Sequence, residues 1–209
     1  MNIIVNNLDG IYCRPDTSWE RENNDLYSPD YIKSWSYSPV VFARISKAGK
    51  CIGRKFVDRY YDSIGFGMLL YGSECIDGAI NSIATTSCLD HSSLLPMPLY
   101  NPIVLEGNNN YFVLSKDGNE IFSININPSI EGNKASTEGN KASIEGNEVP
   151  NKIKEEIEKS ICAASAKISL RIGDIVALEL ARPNILTNES CSVSATFCKN
   201  DIMDFKIIL

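Results

Sequence analysis

Residues 130–150 read IEGNKAS, TEGNKAS and IEGNEVP, three tandem copies of one seven-residue unit. This segment constrains the fold most, because it cannot enter a core. A seven-residue period invites a coiled coil. Each copy carries Gly and Asn, however, and one position alone is mostly apolar: Ile130, Thr137 and Ile144. Gly costs about 1 kcal/mol in a helix relative to Ala. A stretch this polar buries too little surface to offset its ordering entropy, and a solenoid needs much longer repeats. The expectation is a disordered insertion over 127–151 within a single domain spanning 1–209.

The composition changes abruptly after the insertion. Asn151 is a plausible N-cap. Ile153, Ile157, Ile161, Ala164 and Ile168 then fall on one helical face. Lys152–Glu156 and Glu155–Lys159 are i,i+4 pairs on the wet face. A shorter helix is expected over 52–62, IGRKFVDRYYD. Most other periodic segments read as strands: PVVFARI (39–45), SIGFGMLLYG (63–72), GDIVALELA (173–181), CSVSATF (191–197) and MDFKIIL (203–209). Asp117-Gly118 between two apolar runs in 109–126 signals a hairpin. The fold class is therefore α+β, dominated by strands in mixed or antiparallel sheets.

Charge and cysteine usage exclude several roles. Lys+Arg number 20 and Asp+Glu 26, a net charge of −6, which argues against a nucleic-acid surface. No run approaches the ~18 apolar residues of a membrane span. The start, MNIIVNNLDG, has no basic segment leading into an apolar run, so no export signal is expected. The seven cysteines form no CxxC pair. Reduced thiols in a cytoplasmic protein are the expectation, and zinc is disfavoured, with His91 the only imidazole.

Other local patterns admit bland readings. Asp90-His91-Ser92-Ser93 superficially suggests a hydrolase triad, but adjacent residues rarely converge on one atom, and a turn is expected. Gly65-x-Gly67 is a glycine pair in a strand rather than a phosphate loop. Tyr60 and Tyr61 are expected to pack a helix. Trp19 and Trp35 fit an interface or a core equally well.

Several strings, in order, resemble the fumarylacetoacetase (fumarylacetoacetate hydrolase) family, in its short bacterial single-domain form. Tyr12-Cys13-Arg14-Pro15-Asp16-Thr17 resembles that family's F-x-K-P-x-S strand. Ser28-Pro29-Asp30-Tyr31 resembles the segment before its first metal-ligand strand. VVFARISKAGKCIGRKFVDRYYDSIGFGMLLYG (40–72) is similar to its E-L-V-V-x-I…G-K…Y-I-x-G-Y-T-x-x-N-D block. Residues 165–175, SAKISLRIGDI, resemble its S-x-x-x-T-L-x-x-G-D-L block, and 201–209 its final strand. The resemblance covers nearly the whole chain apart from the repeat and a shortened start. It implies the fold of the family's C-terminal-type domain.

The resemblance also implies Mg²⁺ or Mn²⁺ held by three carboxylates. A hard cation takes oxygen ligands and, as a Lewis acid, stabilises a developing enolate. In this register the two glutamates of the E-x-E strand fall on Ser38 and Val40, and the metal aspartate falls on Leu69. A metal-facing lysine falls near Ser87, and the T-G-T-P loop reads Leu178-Glu179-Leu180-Ala181. The lid that carries a His–Glu dyad in many members is largely missing, and His91 is not in that place.

The leading expectation is thus a degenerate member without a metal cofactor or catalytic residues. It would persist as a scaffold or interaction protein, pairing with itself as members commonly do. The alternative is an active divalent-metal-dependent hydrolase or isomerase of small, acylpyruvate-like oxo-acids. Its site would be rebuilt from Glu74, Asp90 and Glu179 around Mg²⁺ or Mn²⁺. A third reading is a ligand-binding module with a pocket lined by Ser38, Val40 and Leu69.

Overall fold

A computed structural model describes residues 1–7, 10–72, 82–107, 110–126 and 153–209. The heptapeptide repeat, Asn151 and Glu74 lie outside the described residues. In chain order the elements are β1 (Asn2–Asn7), β2 (Gly10–Pro15), β3 (Trp19–Glu20), β4 (Leu26–Tyr27), β5 (Trp35–Ile45) and β6 (Tyr61–Gly72). Next come α1 (Ser82–Ser87), β7 (Ser93–Leu94), β8 (Tyr111–Lys116), β9 (Asn119–Asn125) and α2 (Ile153–Lys167). The chain closes with β10 (Ile175–Glu179), β11 (Asn184–Thr187), β12 (Cys191–Phe197) and β13 (Asn200–Ile208). Among the described residues no helix is long and apolar enough to cross a membrane.

The strands form two mixed sheets. The larger runs β2-β1-β10-β5-β6-β7-β3, with β11 also on β5; the smaller runs β4-β13-β12-β8-β9. The main core lies between them. Phe66 of β6 stacks on Phe197 of β12 at 4.5 Å and meets Phe112 of β8 at 5.2 Å. Ile153, Ile157, Ile161 and Ala164 of α2 enter the same core, as the helical periodicity requires. Burial of each such side chain contributes about 1.5–3 kcal/mol.

A second, smaller core covers the other face of the large sheet. It contains Ile3, Val5, Val40, Phe42, Leu69, Tyr71, Leu95, Ile175 and Ala177. Burial on both faces is why residues 39–43 of β5 and 64–71 of β6 read as near-continuous apolar runs. The sheet is also curled. From β2 to β6 is four strand intervals, roughly 19 Å on a flat sheet, yet the Tyr12 and Tyr71 hydroxyls are 2.6 Å apart. The smaller core is therefore the inside of a roll.

Several local expectations hold. Asp117 and Gly118 both take positive φ, 49° and 78°, as a two-residue hairpin turn demands. The six described cysteines are free thiols. The helix expected over 52–62 does not form. A 3-10 turn spans Arg54–Arg59, and Tyr61 of β6 already pairs with Ile45 of β5. Six residues give few helical hydrogen bonds, and strand pairing of the buried Tyr61 prevails. The short strands β3, β4, β7 and β11 carry no periodic signal and were not expected.

Candidate functional site

Residues facing the inside of the roll follow from strand register. On β5 and β6, Ser38 lies opposite Leu69 and Val40 opposite Gly67. On β10, Glu179 lies opposite Val40. Period-two alternation then sets Ser38, Val40, Leu69, Tyr71 and Glu179 on one face. Ser38, Val40 and Leu69 are completely buried. The Ser38 hydroxyl donates to the Ala181 carbonyl at 2.6 Å.

A polar cluster stands beside them. Tyr12 donates to Glu179 Oε1 at 3.0 Å, Tyr71 donates to the same oxygen in a shorter contact, and the two hydroxyls meet each other. Three oxygens thus share three contacts, but two phenols supply only two protons. A third proton arriving on the Glu179 carboxylate would complete the ring. Both phenols stay neutral well beyond ordinary tyrosine. Burial, outweighing the opposing pull of Arg14, pushes Tyr12 up to about 12. Burial pushes Tyr71 up further, with Tyr12 and Glu179 adding to it. Tyr12 and Glu179 are half-buried, so the cluster opens to solvent on their side.

Arg14 forms the wall of this cluster. Its guanidinium carbon lies 4.6 Å from the Tyr71 ring centre. Nη2 donates to the Leu70 carbonyl at 3.0 Å, and Nη1 to Ser92 Oγ at 3.1 Å and Ser93 Oγ at 3.3 Å. The side chain is 1% exposed, and its buried Nε has no partner among the described residues. An orphaned N–H of this kind is costly unless an oxygen accepts from it.

A second constellation lies on the other side of the 88–93 segment. His91, in a turn with φ 55°, places Nδ1 3.0 Å from Glu20 Oε2. Burial pushes Glu20 up. Hydrogen bonds from the Glu22 backbone N–H, His91 and Asn24 outweigh it and hold the carboxyl below the ordinary range. His91 and Asp90 line a groove of about 460 Å³ together with Asp25, Tyr27, Tyr31 and Trp35.

Ser38, Val40 and Leu69 therefore share a face with Glu179, whereas Asp90 and Glu179 of the rebuilt carboxylate set fall in different surroundings. Glu179 belongs to the tyrosine cluster. Asp90 borders the groove, of which Glu179 is not a lining residue. Among the described residues no group of three or more His, Cys, Asp or Glu is placed to hold a metal ion. Of the Asp90–Ser93 tetrad, Asp90 and His91 form a turn and Ser93 begins β7, and Ser92 and Ser93 anchor Arg14. Trp35 is core, and half-buried Trp19 donates to the Leu95 carbonyl at 2.8 Å. Tyr12, Tyr71 and Glu20 were missed. Their partners lie 59 to 167 residues away in the chain, beyond any local pattern.

No protein-family model and no curated protein matches the chain. Solved structures do. A Yersinia pestis protein provisionally assigned to the fumarylacetoacetate hydrolase family has a TM-score of 0.72 at 13% identity, covering 99% of this chain and 92% of that one. The fumarylpyruvate hydrolase of Pseudomonas aeruginosa, solved with Mn²⁺ and pyruvate, has a TM-score of 0.70 at 12% identity, covering 100% and 90%. The maleylpyruvate hydrolase of a Sphingobium strain has a TM-score of 0.66 at 12% identity, covering 98% and 69%. A divalent cation such as that Mn²⁺ does not fit Ser38, Val40 and Leu69, which offer one engaged hydroxyl and two hydrocarbon side chains. In its described residues, then, this chain is folded like the fumarylacetoacetate hydrolase family proteins.

Proposed function

We propose that this chain is an enzyme of the hydrolase or isomerase kind named for its fold neighbours, acting on a small oxo-acid through a rebuilt site. The observation that carries the reading is the proton-deficient ring of Tyr12, Tyr71 and Glu179 beside buried Arg14. Glu179 is the base. It takes a proton from the carbon next to the substrate carbonyl, and the C–H electron pair moves into a C=C bond. The carbonyl oxygen becomes an enolate, which a neutral phenol stabilises by hydrogen bonding. Arg14 supplies the positive charge nearest the ring, its guanidinium carbon 4.6 Å from the Tyr71 ring centre. This reading keeps Glu179 from the rebuilt carboxylate set and replaces the other two with tyrosines. It favours activity over the degenerate scaffold, because the fold neighbours with named activities are hydrolases and isomerases.

The test is proton exchange. Pyruvate in D₂O, followed by proton NMR, is expected to lose methyl signal in a protein-dependent way. Glu179→Gln should slow the exchange by at least about 100-fold, and Tyr12→Phe by about 10-fold. Exchange at the wild-type rate in Glu179→Gln overturns the assignment. No exchange of pyruvate, oxaloacetate or an acylpyruvate by the wild-type chain returns the scaffold reading.

A further inference from the structure

We propose that the groove beside His91 is a binding site for a small alkylammonium ion, separate from the Glu179 cluster. Its charge is one-sided. Asp25 and Asp90 line it, while among the described residues no Lys or Arg does. Glu20 adds a third carboxylate behind His91, held ionised by its hydrogen bonds. An oxo-acid anion is repelled from such a surface, and a cation is drawn to it.

The aromatic lining narrows the cation. Tyr27 and Tyr31 are 72% and 60% exposed, and both flank the groove with Trp35 at its wall. Large exposed aromatic rings beside carboxylates suit a weakly hydrated organic ammonium, whose charge is attracted to ring faces. A volume of about 460 Å³ matches a small organic ligand and greatly exceeds a bare metal ion. A metal ion would also want converging ligands, and no group of three or more is so placed among the described residues.

Calorimetry with choline chloride tests this directly. Its control is 3,3-dimethyl-1-butanol, which has the same shape without the charge, at matched ionic strength. One choline site per chain is expected, with a Kd of roughly 0.1–1 mM, and the neutral alcohol should bind at least about tenfold more weakly. Asp90→Asn and Tyr31→Ala should each weaken choline by about fivefold or more, whereas Tyr31→Phe should bind as the parent does. Asp90 and Tyr31 are exposed, and circular dichroism verifies that the variants fold. Equal binding of choline and the alcohol, or no heat at about 20 mM choline, overturns the proposal. So does choline affinity unchanged in both Asp90→Asn and Tyr31→Ala.

Discussion

The hydroxyls of Tyr12 and Tyr71 meet at 2.6 Å, although their strands are four intervals apart in the same sheet. Curling brings them together and confines them with Glu179. The cost of ionising such phenols links stability to alkaline pH. Burial raises Tyr12 and Tyr37 to about 12 and drives Tyr71 upward too. A folded-state pKa above the unfolded value gives stability that is complete below the unfolded value. It is lost as pH rises through the folded one. Urea midpoints should hold steady to about pH 10 and fall between there and about 12. Tyr12→Phe should flatten part of that fall.

The opposite limb belongs to Glu20. Its carboxyl is depressed by hydrogen bonds from Glu22, His91 and Asn24 that outweigh burial. A depressed pKa contributes stability that is present above the unfolded value and lost as pH falls through the folded one. Parent stability should therefore decline on acidification below about pH 4.5. Glu20→Gln should be less stable at neutral pH and lose part of the acid slope. Equal slopes in parallel urea titrations would dismiss this role for Glu20.

Gly67 is fixed by the backbone that crosses it. A Cβ there would collide with the Leu94 carbonyl oxygen, which cannot swing away as a side chain end would. Gly67→Ala should cost about 2–3 kcal/mol, a drop in Tm of roughly 4–12 °C. Gly53, with nothing within 4 Å of its Cβ position, should accept Ala with little change. Similar melting of the two variants would remove the steric account of the glycine pair.

Much of the molecule was legible in local pattern. The spacing of Ile153, Ile157, Ile161 and Ala164 marked α2 and its buried face, because a helix repeats every 3.6 residues. Asp117-Gly118 marked the hairpin, because few residue pairs accept two positive φ values. The helix expected over 52–62 failed because a weak helical pattern yielded to the pairing of Tyr61 with Ile45. At 11–14% identity to its fold neighbours, the resemblance was readable only from the order and spacing of several short strings taken together.

The site was legible only in part. The sequence by itself determined that Ser38, Val40 and Leu69 bring no carboxylate, whereas Glu179, expected in a loop by the family register, ends strand β10. The sequence also determined β5, β6, β8, β9, β10, β12, β13 and α2, because periodicity is a local property of the chain. Only the tertiary structure decided that Glu179 meets Tyr12 and Tyr71, that Arg14 is sealed behind them, and that Glu20 holds His91. Those contacts depend on how far the sheet curls and where the 88–93 segment crosses it. Curl is set by the packing of two cores against both faces at once, a balance of many side chains that no stretch of sequence encodes alone.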